Sequence, residues 1–234
     1  MDTDELEIVE VAGSGDHGFL RAVYDTVLRP SFPTTELDMF EAFARDLAES
    51  PDGAVLVAMD ADQPVGAVVD HPMPHLGLGL LSYAASRPGL RGRGIGATLM
   101  AALRTRWRNG PVEFVVAEVE DPRLHPETTE NAPGARLRFY EREGADLLMV
   151  PWVQPGLGGR ERVPGMLLLR VWSRAPARSV PSSTLVHWAE SYYESEEGTI
   201  PSDETFLALR ARLTEFPEVE ASPIDRLSAL RPLE

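Results

Sequence analysis

Apolar positions change their spacing several times along the chain. Residues 6–11 alternate well enough for a first strand, and a turn is expected over 13–16. Phe19, Leu20, Val23, Tyr24 and Val27 then recur at helical spacing until Pro30 and Pro33 interrupt them. A second helix is expected to start near Thr34 or Thr35, with Thr35 as its N-cap. Leu37, Met39, Phe40, Phe43 and Leu47 would share its apolar face. Residues 54–59 and 65–69 read as a hairpin about a turn at 60–64, and 76–85 as a longer, nearly all-apolar strand. Ile95, Leu99, Met100, Leu103 and Trp107 predict a helix ended by Asn109-Gly110-Pro111. A β-branched strand follows at 112–119 and a polar loop at 121–134. A short helix at 135–143 is then closed by Gly144. Residues 147–153 and 166–172 are two more strands, separated by a glycine-rich stretch at 155–164.

The order β-α-α-β-β-β-α-β-α-β-β alternates late but not early. It predicts an α/β (α+β) fold with a mixed, mostly antiparallel central sheet of about seven strands flanked by helices. Residues 173–183 read as a Pro/Ser/Arg linker. Beyond it, Leu185, Trp188, Ala189 and Tyr192, then Phe206, Leu207, Leu209 and Leu213, mark two helices. The expected division is a domain at 1–175 and an acidic helical extension at 176–234. That extension packs back on the domain or pairs with a second copy as a homodimer.

Chemistry concentrates where the fourth strand candidate ends. Ser82-Tyr83-Ala84-Ala85-Ser86-Arg87-Pro88-Gly89-Leu90 runs into Arg91-Gly92-Arg93-Gly94-Ile95-Gly96-Ala97, which opens the helix. Glycines allow positive φ and close approach of the backbone. Free N–H groups and the dipole at a helix start attract anions, and Arg91 and Arg93 add forked positive donors. A phosphate or pyrophosphate is the ligand this pattern fits. Gly92-x-Gly94-x-x-Ala97 also satisfies a loose dinucleotide fingerprint, with Glu118 or Glu120 as the acidic residue after the next strand. That fingerprint usually follows the first strand of a βαβ unit, whereas this loop follows four strand candidates.

Composition narrows the picture. The 234 residues are 43% hydrophobic, enough for a substantial core without covalent staples. There is no cysteine, so disulfides, thiolate zinc sites and a cysteine nucleophile are excluded. There is no lysine either, which excludes lysine chemistry. A formal charge of −15 disfavours nucleic acid and suits cationic small molecules or basic peptides. No apolar run is long enough to span a membrane. Met1-Asp2-Thr3-Asp4-Glu5 has neither the basic start nor the apolar stretch of a secretory signal, so a cytoplasmic location is expected. His71-Pro72-Met73-Pro74-His75 brings two histidines together with prolines between them, a poor metal site. Trp152, Trp172, Trp188, Tyr192 and Tyr193 suit a core or interface. If clustered, they would suit a cage for an amine.

Arg91-x-x-Gly94-x-Gly96, with Pro88 before it, resembles the acyl-CoA signature of the GNAT N-acetyltransferases. Arg138-Phe139-Tyr140-Glu141-Arg142-Glu143-Gly144-Ala145 resembles the second motif of that family, in the family's order. The resemblance covers roughly residues 5–173. Two departures stand out: Pro133 occupies the place of a common cofactor-touching Asn, with Asn131 nearby but out of register, and Ala145 replaces the final aromatic.

The resemblance implies an acyl-CoA N-acyltransferase-like fold and direct transfer of an acetyl group from acetyl-CoA to a primary amine. The acceptor is a small cationic molecule or a protein amino group. Gly92 and the other residues of 91–97 would hold the pyrophosphate. The backbone at Ala84, Ala85 and Ser86 would pair with the pantetheine arm and polarise the acyl carbonyl. Tyr140 would protonate the leaving thiolate. An ammonium has no lone pair, so a carboxylate must take its proton, and Glu118 and Glu120 lie two apart on one face of a strand. Glu118 is preferred, because the resemblance places it where the strands part around the acyl group, with Glu120 nearer the loop. A non-catalytic acyl-CoA-binding module is the alternative of a different class.

Overall fold

The computed structural model describes residues 6–12, 15–34, 36–50, 52–128 and 131–233. The expected N-cap Thr35, the segment 1–5, and Gly13 and Ser14 of the first turn lie outside them. The described chain forms two compact units, one of Met1–Pro74 with Gly79–Val112, the other of His75–Leu78 with Glu113–Glu234.

In the first unit, β1 (Glu7–Ala12), β2 (Ala54–Asp60), β3 (Gln63–Met73) and β4 (Leu78–Ser86) lie in that order. β1 pairs antiparallel with β2, and β2 with β3 through the expected hairpin, where Asp60 faces Gln63. Helix α1 (His17–Val23) is capped by Asp16, whose carboxylate accepts from the Gly18 and Phe19 amides, and it runs on into a π-helical turn at Tyr24–Leu28. Helix α2 (Phe40–Glu49) starts five residues later than the sequence suggests, with Met39 at its N-cap. Between the two prolines and Phe40 the chain is fixed by Tyr83, whose hydroxyl donates to the Asp38 carboxylate. Tyr24, Phe40, Phe43 and Tyr83 pack edge-on or tilted against one another beside β3, an aromatic core under these helices.

Helix α3 (Ile95–Asn109) crosses β2 and β3 in the same unit. Two contacts hold it there. Trp107 Nε1 and Arg106 Nε donate to the buried carboxylate of Asp70 at 2.9 and 3.1 Å. At its other end Ile95 sits against Gly66 of β3 so closely that a Cβ there would stand 2.4 Å from Ile95 Cγ2. Gly66 therefore sets how deeply the start of α3 seats on the sheet.

In the second unit the order is β5 (Phe114–Glu120), β7 (Val163–Ser173), β6 (Asp146–Gln154), β9 (Glu218–Pro223) and β8 (Ser179–Pro181). Every neighbouring pair is antiparallel. Helices α4 (Pro133–Arg142), α5 (Ser182–Glu197) and α6 (Glu204–Leu213) complete it. The described residues thus form nine strands rather than about seven. The extra two lie where the sequence predicts a linker and a helical extension: β9 pairs with β6, and β8 pairs with β9. Residues 176–234 fall in the same compact unit as β5. The signal for β9 was weak because Glu218-Val219-Glu220-Ala221 alternates over only four residues between two prolines.

Candidate active site

The glycine loop belongs to the first unit. Arg91, Gly92, Arg93 and Gly94 are all exposed. Gly92 and Gly94 are left-handed, at φ 78° and 84°, a region that only glycine enters without strain. Gly94 is the N-cap of α3, and no side chain caps the helix, so its first amides are offered outward. A Cβ at Gly92 would meet nothing within 4 Å, so the space beside the loop is open. An uncapped helix start, two left-handed glycines and two exposed guanidiniums fit a pyrophosphate on chemistry and room alike. Ile95 is buried and anchors the turn, while Gly96 and Ala97 remain partly or fully exposed. Ala84, Ala85 and Ser86 close β4 with part of their surface open, and the next residue, Arg87, donates its amide to Val65 O at 2.8 Å.

The acid–base candidates belong to the second unit. Tyr140 on α4 is 4% exposed and edge-on to Phe139. The helix ends directly after it in a Schellman turn: Gly144, at φ 82°, donates to Glu141 O, and Ala145 donates to Tyr140 O. Burial pushes the phenol up to about 12, so it stays protonated at neutral pH. Among the described residues its hydroxyl has no hydrogen-bond partner.

The two glutamates of β5 have different surroundings. Glu120 is 3% exposed and fully engaged. Asn131 Nδ2 lies 2.7 Å from both of its oxygens, and Arg136 Nη1 from α4 lies 3.1 Å from Oε2. His125 Nδ1 is 3.6 Å away. These contacts tie the 121–132 loop and α4 to the end of β5. Asn131, out of register with the family's Asn, has this structural part to play.

Glu118 has no ion pair among the described residues. Trp152 Nε1 donates to Oε1, while Gln154 Nε2 and the Tyr192 hydroxyl both donate to Oε2 at 3.1 Å. Burial raises its pKa to about 7, against the opposing pull of these three donors. At neutral pH it therefore exchanges a proton readily, as a general base must.

The aromatic residues singled out in the sequence partly cluster here. Trp188 stacks on Trp152 at 4.8 Å and on Tyr192 at 5.6 Å. Tyr193 points elsewhere, its hydroxyl donating to Val153 O at 2.6 Å, and Trp172 stacks with the Arg174 guanidinium. Sequence reading missed the donors Gln154 and Tyr192. The lone amide at the end of the apolar strand β6 was the available signal for the first, and for the second there was none. Among the described residues no group of three or more His, Asp or Glu is placed to hold a metal, and His71 is kept neutral by burial, its pKa lowered to about 4.

Residues 51–144 match the family described as Acetyltransferase (GNAT) domain. The chain carries a GNAT acetyltransferase domain. It is an acyltransferase whose donor is acetyl-CoA. A dinucleotide loop is set aside on topology as well: the loop follows β4, beyond three strands that pair antiparallel in sequence.

Solved structures agree on the fold. A GNAT-family protein from Bacteroides thetaiotaomicron matches with a TM-score of 0.55 at 22% identity, over 70% of this chain and 85% of the other. An aminoglycoside 6'-N-acetyltransferase complexed with coenzyme A matches with a TM-score of 0.54 at 17% identity, over 73% and 98%. The ribosomal-protein-S18-alanine N-acetyltransferase of Escherichia coli matches with a TM-score of 0.50 at 17% identity, over 73% and 96%. Comparison with curated protein sequences gives no match. The GNAT domain match ends before β6, so Trp152, Gln154 and Tyr192 all lie outside it. No helix among the described residues is long and apolar enough to cross a membrane.

Proposed function

We propose that the chain acetylates the primary amine of a small cationic acceptor, with Glu118 as the base that takes the amine proton. Arg91, Arg93 and the amides of Gly94, Ile95, Gly96 and Ala97 bind the pyrophosphate of the donor. The main chain at Ala84, Ala85 and Ser86 orients the acyl carbonyl. Glu118 removes one proton from the acceptor nitrogen as that nitrogen bonds to the acyl carbon. Tyr140 gives its phenolic proton to the sulfur as the carbon–sulfur bond breaks, and the phenolate so formed takes the second proton that the acylated nitrogen sheds. Both groups begin in the right state at neutral pH: the phenol protonated, the carboxylate partly ionised.

The observation that carries this reading is the contrast on β5. A carboxylate with a pKa near 7 and three neutral donors stands two residues from one already paired with arginine. A cationic acceptor supplies the counter-charge that Glu118 lacks, and the −15 formal charge draws such a molecule in.

Release of free thiol from acetyl-CoA, measured across polyamines, amino sugars and peptides, tests the reading. Turnover with one of the cationic small amines supports it. Coenzyme A binding without turnover across that panel would replace it with a binding module.

A further inference from the structure

Three donors converge on Glu118, and all of them come from parts of the chain that the GNAT domain match does not reach. A carboxylate offers about four lone-pair positions. Trp152 Nε1 takes one on Oε1, and Gln154 and Tyr192 together fill Oε2. Among the described residues, the position left over is on Oε1.

Helix α5, which carries Tyr192, is firmly seated. The Tyr193 hydroxyl donates to Val153 O of β6 at 2.6 Å, and the Tyr193 ring packs 4.7 Å from Phe206 of α6. At the start of the helix the Ser182 hydroxyl donates to Phe216 O at 2.6 Å. At its other end Arg162, just before β7, pairs with both Glu197 and the α6 cap Asp203. Trp188, one turn before Tyr192, lies between it and Trp152 in a continuous stack. The stack spaces the two side chains that grip opposite oxygens of Glu118.

We propose that Tyr192 is a positioning residue, supplied by the C-terminal helix, that pins Oε2 of Glu118 and leaves Oε1 to receive the proton of the acceptor amine. This rests on the reading of Glu118 as the base. A three-point grip fixes the carboxylate plane without neutralising its charge, which an arginine partner would do. The groups facing Glu118 from the surrounding elements are few. β6 presents Trp152 and Gln154, β7 opposes it with Leu168, and α5 presents Tyr192 and Tyr193, the latter a phenol whose ionisation Glu118 opposes. Its own strand adds the ion-paired Glu120.

The test compares Tyr192→Phe, which keeps the ring and its stack, with wild type and Glu118→Gln in the full chain. Carbon-13 NMR of glutamate-labelled protein follows the carboxyl resonance that disappears in Glu118→Gln. Its midpoint should rise by about one pH unit in Tyr192→Phe, because a donor to the charged form is lost. With spermidine or whichever panel amine turns over, kcat should fall about tenfold while the KM for acetyl-CoA stays within twofold. The thermal midpoint should hold close to wild type. A carboxyl midpoint unmoved in Tyr192→Phe overturns the role of Tyr192, since a purely structural tether would leave it in place. Full turnover in Glu118→Gln would instead overturn the underlying reading, whatever Tyr192→Phe does.

Discussion

Glu118 and Glu120 occupy the same strand, two residues apart, and have opposite surroundings. Glu120 meets a guanidinium and an amide that also fasten α4 and the preceding loop, so its charge is spent on holding the fold. Glu118 meets an indole, an amide and a phenol, which orient it without cancelling its charge. The residue type and the strand face are shared, so it is the partners that set the two carboxylates apart. Position along a strand nominates a base, and only the side chains brought from elsewhere can appoint it.

The largest effect that would break this contrast is on turnover. Glu118→Gln should lower kcat by about 10²–10⁴, the usual loss when a general base is removed. Glu120→Gln should cost turnover far less, and parallel steady-state assays of thiol release would show the separation. Equal losses would mean that the partners of each carboxylate do not decide its role.

Stability should show the reverse order. Removing the charge of Glu120, or truncating Arg136 to Ala, breaks their part-buried ion pair and should cost about 1–3 kcal/mol in denaturant unfolding. The Glu118→Gln change should cost little and, above neutral pH, should help.

The smallest effect sharpens the comparison through pH. Glu118 has a folded pKa of about 7, raised from 4.5, so the folded state binds its proton more tightly than the unfolded state. The stability it lends is complete below about pH 4.5 and is lost as pH rises through 7. Thermal unfolding of Glu118→Gln should therefore show a midpoint gain of a few degrees at pH 8 that disappears by pH 4. Glu120→Gln should show no such gain at pH 8.

The glycine loop was legible in the sequence because its chemistry is local. Gly92, Gly94 and the arginines are contiguous, the helix they open has a clear apolar period, and positive φ at both glycines is what the pattern demands. Gly66 was not legible as part of that loop. It lies 28 residues before Gly94, and only the packing of β3 against Ile95 reveals what it does. The same holds more strongly around Glu118, whose three donors come from 34, 36 and 74 residues away. Composition and period carry no information about such pairings.

The late start of α2 has a similar cause. Thr34 offered a helix start by type, but the chain there is occupied by prolines and by the bond between Tyr83 and Asp38, which defers the helix to Phe40. The C-terminal strands were hidden because β8 is three residues long and β9 is flanked by prolines. The first lies in the stretch that reads as linker and the second in the expected helical extension, and neither shows as a strand until β6 is present for β9 to pair with and β9 for β8.

The most direct test of Glu118 as the base is the pH dependence of kcat/KM for thiol release from acetyl-CoA with an accepted amine, in wild type and in Glu118→Gln. The wild-type profile should climb tenfold per unit on its acidic side and level off near pH 7, and the residual rate of the variant should lack that limb. A limb that survives unchanged in Glu118→Gln would contradict the assignment and hand the proton to another group.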